Sequence, residues 1–261
     1  MPPAAYLSVD PAQALFLFAA AFVAGAINAV AGGGSLVSFP ALIAAGYPSK
    51  AANVTNTVAL WPGYLGGSIG YRRELAHQRH RVLALTPACA AGALAGSAIL
   101  LATPESAFDA FVPFLILFAC ALMAAQDRLG RFARHHHLVT TADQGAPALS
   151  HVSVFLMSIY GAYFGAGLGI LLLAMLTILV PDDLQNSNAL KGLLSLLINA
   201  VAVVYFAAFG PVRWGPMAIM AVGALGGGYL GAGVARRLGS GSLRFAVVSY
   251  GVVVAVVLLL T

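Results

Sequence analysis

Charged residues are scarce in this chain, and their scarcity excludes most soluble folds. Only 8% of the 261 residues are Asp, Glu, Lys or Arg, whereas 61% are hydrophobic. A soluble domain carries about a quarter charged residues, because its surface must face water. The composition therefore predicts an all-α integral membrane protein, with lipid covering most of its outer surface.

Cysteines and acidic residues are also few. Cys89 and Cys120 lie inside apolar runs and predict neither a disulfide framework nor a zinc site. All eight acidic residues lie in loops or near the ends of apolar runs, so no proton relay through a buried carboxylate is indicated. The cluster His135, His136 and His137 fits a solvated loop better than a metal site, and the sequence indicates no cofactor.

The net charge of +5 raises the question of a nucleic-acid partner. The basic residues, however, lie in short loops between apolar runs, as the anchoring of membrane helices requires. The sequence therefore predicts no nucleic-acid binding and instead predicts a lipid bilayer as the main partner. No Lys or Arg precedes the first apolar run, so a cleavable signal peptide is not indicated.

Eight apolar segments follow one another along the chain. Six of them are about 20 residues long, which fits one bilayer crossing each. The segments run from about Ala12 to Gly46, Ala51 to Tyr71, Val82 to Ala102, Ala107 to Gln126, His151 to Val180, Ala189 to Phe209, Trp214 to Val234 and Leu243 to Leu260.

The first and fifth segments are too long for one crossing. As a straight helix the first, of about 35 residues, would reach ~52 Å. Both contain glycine clusters, which weaken a helix by roughly 1 kcal/mol per residue relative to alanine. We therefore predict a broken helix in each, at Gly32, Gly33 and Gly34 and at Gly161, Gly165, Gly167 and Gly169.

This order of segments, one broken and three continuous, occurs twice. We predict a first transmembrane repeat in residues 1–126, a cytoplasmic linker in 127–150 and a second repeat in 151–261. After each broken segment comes a similar polar stretch, Asn53, Thr55 and Asn56 in the first half and Asn186, Ser187 and Asn188 in the second. Paired broken segments of this kind point to the binding site of a transporter.

The positive charges distinguish two topologies. If the fifth segment crosses the membrane once, eight Lys and Arg residues lie inside and five outside. If it folds back as a hairpin, 11 lie inside and only Lys50 and Arg213 lie outside. The positive-inside rule prefers the second arrangement, which makes the halves inverted repeats and requires the first segment to fold back as well.

The strongest local motif is the stretch from Asn28 to Ser35, in which two polar residues flank Gly32, Gly33 and Gly34. A helix break in lipid is tolerated where protein covers it or where it lines a polar cavity. Amide groups freed at the start of a half-helix would favour an anion. Close helix packing through glycine is the other interpretation of this motif.

Two further polar stretches begin apolar helices. Asn53, Thr55 and Asn56 can cap their helix or donate hydrogen bonds to a substrate. Asn186 and Asn188 precede Lys191, an ionisable residue near the start of an apolar helix expected to lie in the membrane. Lys191 can bind an anion, or its side chain can extend to the membrane interface.

A row of small residues marks the seventh segment. Gly223, Gly227 and Gly231 are spaced by four residues and form a packing face. This face fits either internal packing or the contact of a homodimer.

Several motifs resemble the sulfite exporter family of the TauE/SafE type. They are Asn28-Ala-Val-Ala-Gly-Gly-Gly-Ser35, Phe39-Pro-Ala-Leu42, the stretch Ala52 to Gly63, Tyr71-Arg-Arg-Glu-Leu75 and Asn188-Ala-Leu-Lys191. The resemblance spans nearly the whole chain. It implies transport of a sulfur-containing anion, such as sulfite or a sulfonate, across a bacterial inner membrane.

The sequence thus predicts a multi-pass transporter for a small anion, with its site between the two glycine breaks. Asn28, Ser35, Asn53, Thr55 and Asn56 are expected to face Asn186, Asn188 and Lys191 across that site. A structural or assembly membrane protein remains an alternative. An intramembrane enzyme is a weaker one, because no catalytic group lies in the middle of a segment.

Overall fold

The structure is a computed structural model that describes residues 9–30, 33–70, 75–76, 78–135, 148–179, 184–231 and 240–260. Every regular element within these residues is helical. The helices are α1 (Pro11–Val30), α2 (Ser35–Ala44), α3 (Ser49–Gly70), α4 (Arg79–Ala102), α5 (Glu105–His135), α6 (Ala148–Tyr163), α7 (Leu168–Leu179), α8 (Leu184–Phe209), α9 (Trp214–Gly226) with a following π-helical turn (Gly227–Gly231), and α10 (Ser240–Leu260).

The first apolar segment forms a helical hairpin. Gly34 lies directly against the backbone of Ala24, and the Gln13 side chain donates a hydrogen bond to the Ala45 carbonyl (2.7 Å). Helix α2 therefore runs back along α1 and ends on the side of the membrane where α1 begins. Gly33, with φ of 93°, supplies the left-handed backbone conformation at the reversal.

The fifth segment also reverses direction. Helix α6 ends at Tyr163, and α7 starts at Leu168 after two glycines with positive φ, Gly165 (76°) and Gly167 (77°). A Cβ atom added at Gly161 would lie 2.7 Å from the Leu168 side chain, so the two helices touch immediately at the turn.

Helices α3 and α8 cross near the centre in opposite directions. The Trp61 indole donates to the Leu196 carbonyl (3.4 Å) near the middle of both helices. The start of α3 lies beside the residues that follow α8, and the start of α8 lies beside Gln78, which follows α3. The two polar helix starts therefore lie at opposite ends of this pair.

Described basic residues concentrate at one end of the bundle. Arg79 and Arg81 begin α4, Arg128 lies late in α5, and Arg244, at the start of α10, pairs with Asp127 (2.6 Å). The opposite end holds Lys50, which donates to the carbonyl groups of Leu101 and Thr103, and Arg213. These helix directions agree with the hairpin arrangement that the positive-inside rule prefers.

Glycine allows two close helix contacts between the halves of the chain. In α4, Gly92 and Gly96 lie against the backbones of Phe155 and Ile159 in α6. Helix α9 packs in the same parallel manner on α1, through Gly223 and Gly227 against Phe18 and Phe22. Without side chains at these positions, the helix axes approach closely. Gly223 and Gly227 therefore serve internal packing.

The described helices suit a bilayer in length and surface. Four are long and apolar enough to cross it, over Pro11–Asn28, Arg79–Ala102, Glu105–Phe132 and Asn186–Phe209. Large apolar side chains such as Leu15, Val204 and Phe245 are exposed on the outside of the bundle, where lipid would cover them. The prediction of an all-α, multi-pass membrane protein is confirmed.

Some predicted boundaries differ from the structure. Eight segments correspond to ten described helices, because the first and fifth segments each form two. The fourth extends as α5 to His135, so residues 127–135 of the predicted linker are helical, because this stretch is amphipathic rather than a turn. Gly32, His136, His137 and residues 180–183 lie outside the described residues.

The glycine contact between α4 and α6 yields a stability prediction. We expect Gly96→Leu to lower the thermal unfolding midpoint in detergent by several degrees, because the new side chain would collide with the backbone at Ile159, a cost of about 1–3 kcal/mol or more. Gly63→Leu is the matched control, since Gly63 is exposed and a Cβ added there would meet no other atom within 4 Å. Equal midpoints for the two variants would contradict the close contact.

Candidate functional site

The two helix breaks meet the same turn of α5. At Gly33, an added Cβ would lie 3.4 Å from the Met123 sulfur. At Gly167, it would lie 3.3 Å from the side chain of the adjacent residue, Leu122. Two half-helices, α2 and α7, therefore begin at a similar depth against one central helix. The first amides of a half-helix lack the acceptors that a continuous helix supplies, and here Leu36, Val37, Leu168 and Ile170 donate to carbonyl groups of the preceding turn.

At the first break, a side chain of the preceding helix accepts one of these backbone amides. The backbone amide of Gly34 donates to the side-chain oxygen of Asn28 (2.7 Å), so α1 caps the start of α2. The Ser38 hydroxyl donates to the Gly34 carbonyl (3.3 Å) one turn later. Asn28 thus acts here as an acceptor for the protein's own backbone, and Ser35 beside it is half-buried.

The second break is arranged differently. The Tyr160 hydroxyl donates to the Ala166 carbonyl (2.5 Å), and this hydrogen bond ties the turn to the last part of α6. At the start of α7, a Cβ atom added to Gly169 would lie 3.8 Å from Cδ of Lys191. The aliphatic part of the Lys191 side chain therefore passes close to the first turn of α7.

Lys191 and the start of α7 together form an electropositive site. Among the described residues, Lys191 has no hydrogen-bond or ion-pair partner. A helix start carries a partial positive charge, and a neighbouring cation adds a full one. An ionisable residue held within a membrane bundle is a functional candidate by default. The arrangement is suited to holding an anion.

The polar start of α3 is buried and largely engaged with the protein. The Asn53 amide donates to the Tyr163 carbonyl (2.8 Å), where α6 ends. The Thr55 hydroxyl accepts the backbone amide of Arg213 (3.0 Å). The side-chain oxygen of Asn56, a residue 2% exposed, has no hydrogen-bond partner among the described residues. This oxygen is available to a hydrogen-bond donor.

The polar start of α8 resembles that of α3. The Asn186 carbonyl accepts a hydrogen bond from the Gln78 side chain (2.9 Å). Ser187 is 2% exposed, and its hydroxyl has no partner among the described residues. Asn188 is half-buried and has its own polar contact. Each polar helix start therefore contacts the segment that follows the other long helix.

The predicted site residues do not form one cluster. Because α3 and α8 run in opposite directions, Thr55 and Asn186 lie roughly 20 Å apart along the bundle, at ~1.5 Å per helical residue. Asn53 lies near the tip of the second hairpin, and Lys191 lies near the start of α7. Gly32 lies outside the described residues.

Other polar residues of the site were not predicted from the sequence. Gln78 and Arg213 contact the two polar helix starts, and burial raises the pKa of the neighbouring Tyr47 phenol, while the charge of Arg213 opposes this. Farther along α8 from Lys191, the buried Asn199 side chain donates to the Ser195 carbonyl (2.8 Å). Unlike Gln78, this polar face is indicated by the sequence, since Lys191, Ser195 and Asn199 are spaced by four residues on an otherwise apolar helix.

Comparisons with known proteins identify one family and several relatives. The family model described as sulfite exporter TauE/SafE matches residues 17–258. A probable membrane transporter protein from Sinorhizobium is 26% identical over 94% of this chain and 91% of its own length. Similar proteins, also described as probable membrane transporters, occur in Haemophilus influenzae (27% identity, 87% of each chain) and Escherichia coli (25%, 88% of this chain and 82% of the relative). No solved structure matches the chain.

The Thr55 hydrogen bond generates a stability prediction. We expect Thr55→Val to lower the unfolding midpoint, because loss of the acceptor for the Arg213 amide costs about 1–3 kcal/mol. Thr57→Val is the control: the Thr57 hydroxyl donates only to the Asn53 carbonyl of its own helix (3.0 Å), and its loss strands no donor. Labelling of the buried Cys89 and Cys120 thiols during heating measures both midpoints. A Thr57→Val midpoint at or below that of Thr55→Val would refute this assignment.

Proposed function

Since the chain belongs to the TauE/SafE sulfite exporter family, a family of membrane transporters, we propose that it moves a small, sulfur-containing anion across the bacterial inner membrane. Sulfite and sulfonates are the substrates that the family description and the resemblance favour. The transported group would be bound by hydrogen-bond donors and one cation that replace its hydration shell.

One observation carries the anion assignment. Cδ of Lys191 lies 3.8 Å from the position that a Cβ on Gly169 would take, beside the first turn of α7 at a helix break inside the bundle. The full charge and the helix dipole act on the same place, where the low dielectric strengthens both. A lysine whose only role is to reach the interface would not need to lie against a half-helix start.

We further propose that the two halves are inverted repeats. Several contacts occur in corresponding pairs: α4 packs on α6 as α9 packs on α1, and α3 packs on α9 as α8 packs on α4. Helices α3 and α8 also contact each other, as do α5 and α10. Such symmetry supports alternating access, in which the site opens first to one side and then to the other.

The other proposed binding residues lie on either side of the Lys191 site. Asn53, Thr55 and Asn56 lie toward the end with Lys50 and Arg213, and Asn186 and Asn188 lie toward the basic end. We propose that they bind the anion as it enters and leaves, whereas Asn28, Ser35 and the glycines Gly32, Gly33 and Gly34 build the opposing half-helix start. Under this proposal the basic end faces the cytoplasm, and the protein acts without a cofactor, as a transporter rather than an enzyme.

Transport by the purified protein in proteoliposomes tests the proposal. We expect saturable uptake of radiolabelled sulfite, and of methanesulfonate in a separate measurement. Lys191→Ala should reduce the initial rate at subsaturating substrate at least roughly tenfold, because a charge-assisted contact contributes about 1.5–3 kcal/mol.

Lys50→Ala is the matched control. Lys50 binds carbonyl groups at the end of α4 and lies at the outer end of α3, so its loss should leave most of the flux intact. Flux that survives Lys191→Ala unchanged would remove the site from this position. If the folded protein carries neither compound, the substrate class is wrong, and a structural or assembly role becomes the better hypothesis.

A further inference from the structure

We propose that the transported species is a monoanion, hydrogensulfite in the case of sulfite, and that the substrate itself carries the proton that crosses the membrane. This inference rests on the proposed function, since it concerns the charge state of the same substrate at the same site. It specifies which ionic form the site accepts and where any proton coupling originates.

The charge of the site sets the first step of the argument. Lys191 is the single cation that the described structure places beside a half-helix start. The polar side chains elsewhere on this face of α8, Ser195 and Asn199, are uncharged and buried. The site therefore offers about one positive charge, plus the partial charge of a helix start, equivalent to roughly half an elementary charge.

The cost of excess charge sets the second step. A monoanion balances the full charge of Lys191, whereas a dianion brings a second negative charge that only the partial charge of the helix start opposes. An uncompensated ion in a low-dielectric interior costs several kcal/mol even after relaxation. The site should therefore favour the singly charged form of an oxyanion over the doubly charged form by a large factor.

The absence of a suitable protein group sets the third step. Within the described part of the chain, the carboxylates Asp10, Glu105, Asp109 and Asp127 are all exposed near helix ends or beyond them. None of these can relay a proton through the centre of the bundle. Within the described residues, the anion itself is therefore the remaining carrier for an accompanying proton.

Other ionisable side chains on the helices against α8 do not replace a carboxylate. Helix α7 carries none. The remaining helices bear phenols and a thiol within the bundle and cations or imidazoles at helix ends, and none of these is a carboxylic acid. These are Lys50 and Tyr64 on α3, Arg79, His80, Arg81 and Cys89 on α4, and His151, Tyr160 and Tyr163 on α6.

The proton balance of such a step is simple. Hydrogensulfite enters the site with its S–O–H proton in place, crosses as a monoanion, and ionises on the far side to sulfite and a released proton. No bond to the protein forms, and no oxidant or reductant is needed. One negative charge crosses with each substrate, so the flux responds to membrane potential.

Two substrates with different titrations separate this mechanism from titration of the protein. Sulfite changes from its dianion to hydrogensulfite near neutrality, whereas methanesulfonate is a monoanion throughout. From about pH 8 to about pH 6, equal on both sides of the vesicle, we expect the sulfite rate at fixed total concentration to rise several-fold and the methanesulfonate rate to stay flat. Titration of a protein group would instead change both rates.

Protein-free vesicles supply the passive leak to be subtracted, and a dye trapped in the lumen reports acidification during sulfite uptake. The proposal also expects sulfate, a dianion over this range, to compete poorly with methanesulfonate. A sulfite rate that is flat or falls on acidification, or strong competition by sulfate, would overturn the monoanion assignment while leaving transport itself established. Absence of flux with both substrates would instead overturn the proposed function, and this inference with it.

Discussion

Within a bilayer every peptide group must find a hydrogen-bond partner in the protein, and this requirement governs the whole structure. Continuous helices meet it automatically, but two segments here are interrupted near the middle. Each interruption is possible because glycine adopts a left-handed conformation there and because α5 covers both turns. The breaks place the starts of two half-helices, α2 and α7, inside the protein, away from the surrounding lipid.

The two breaks differ in how their amide groups are satisfied. The first uses the side chain of Asn28, two residues before the end of α1, to accept the Gly34 amide. At the second, the Tyr160 carbonyl of α6 accepts the Gly165 amide (3.1 Å), and Lys191 from α8 lies beside the start of α7. One scaffold therefore supports two chemical environments: a turn capped by an asparagine side chain and a turn with a lysine beside it.

Much of the fold follows from local features of the sequence. Apolar runs of about 20 residues specified the spans, and the clustered glycines indicated where two of them would break, because backbone constraints of this kind are encoded by the residues themselves. The arrangement of Asn53 and Asn186 was harder to predict. Both begin polar stretches, yet only the antiparallel crossing of α3 and α8 decides that they lie far apart. Gln78 was missed for the same reason, since its partner Asn186 is 108 residues away.

The glycine contacts between α4 and α6, and between α1 and α9, join helices that are distant in the sequence. Each helix hairpin therefore finds its main support on a helix from the opposite half, so the halves of the polypeptide are interwoven. Any group of helices that moves as a unit during transport would contain helices from both halves, because these close backbone contacts join helices that precede the linker to helices that follow it. Neither half could be removed without exposing the glycine-lined helix surfaces on which the other half packs.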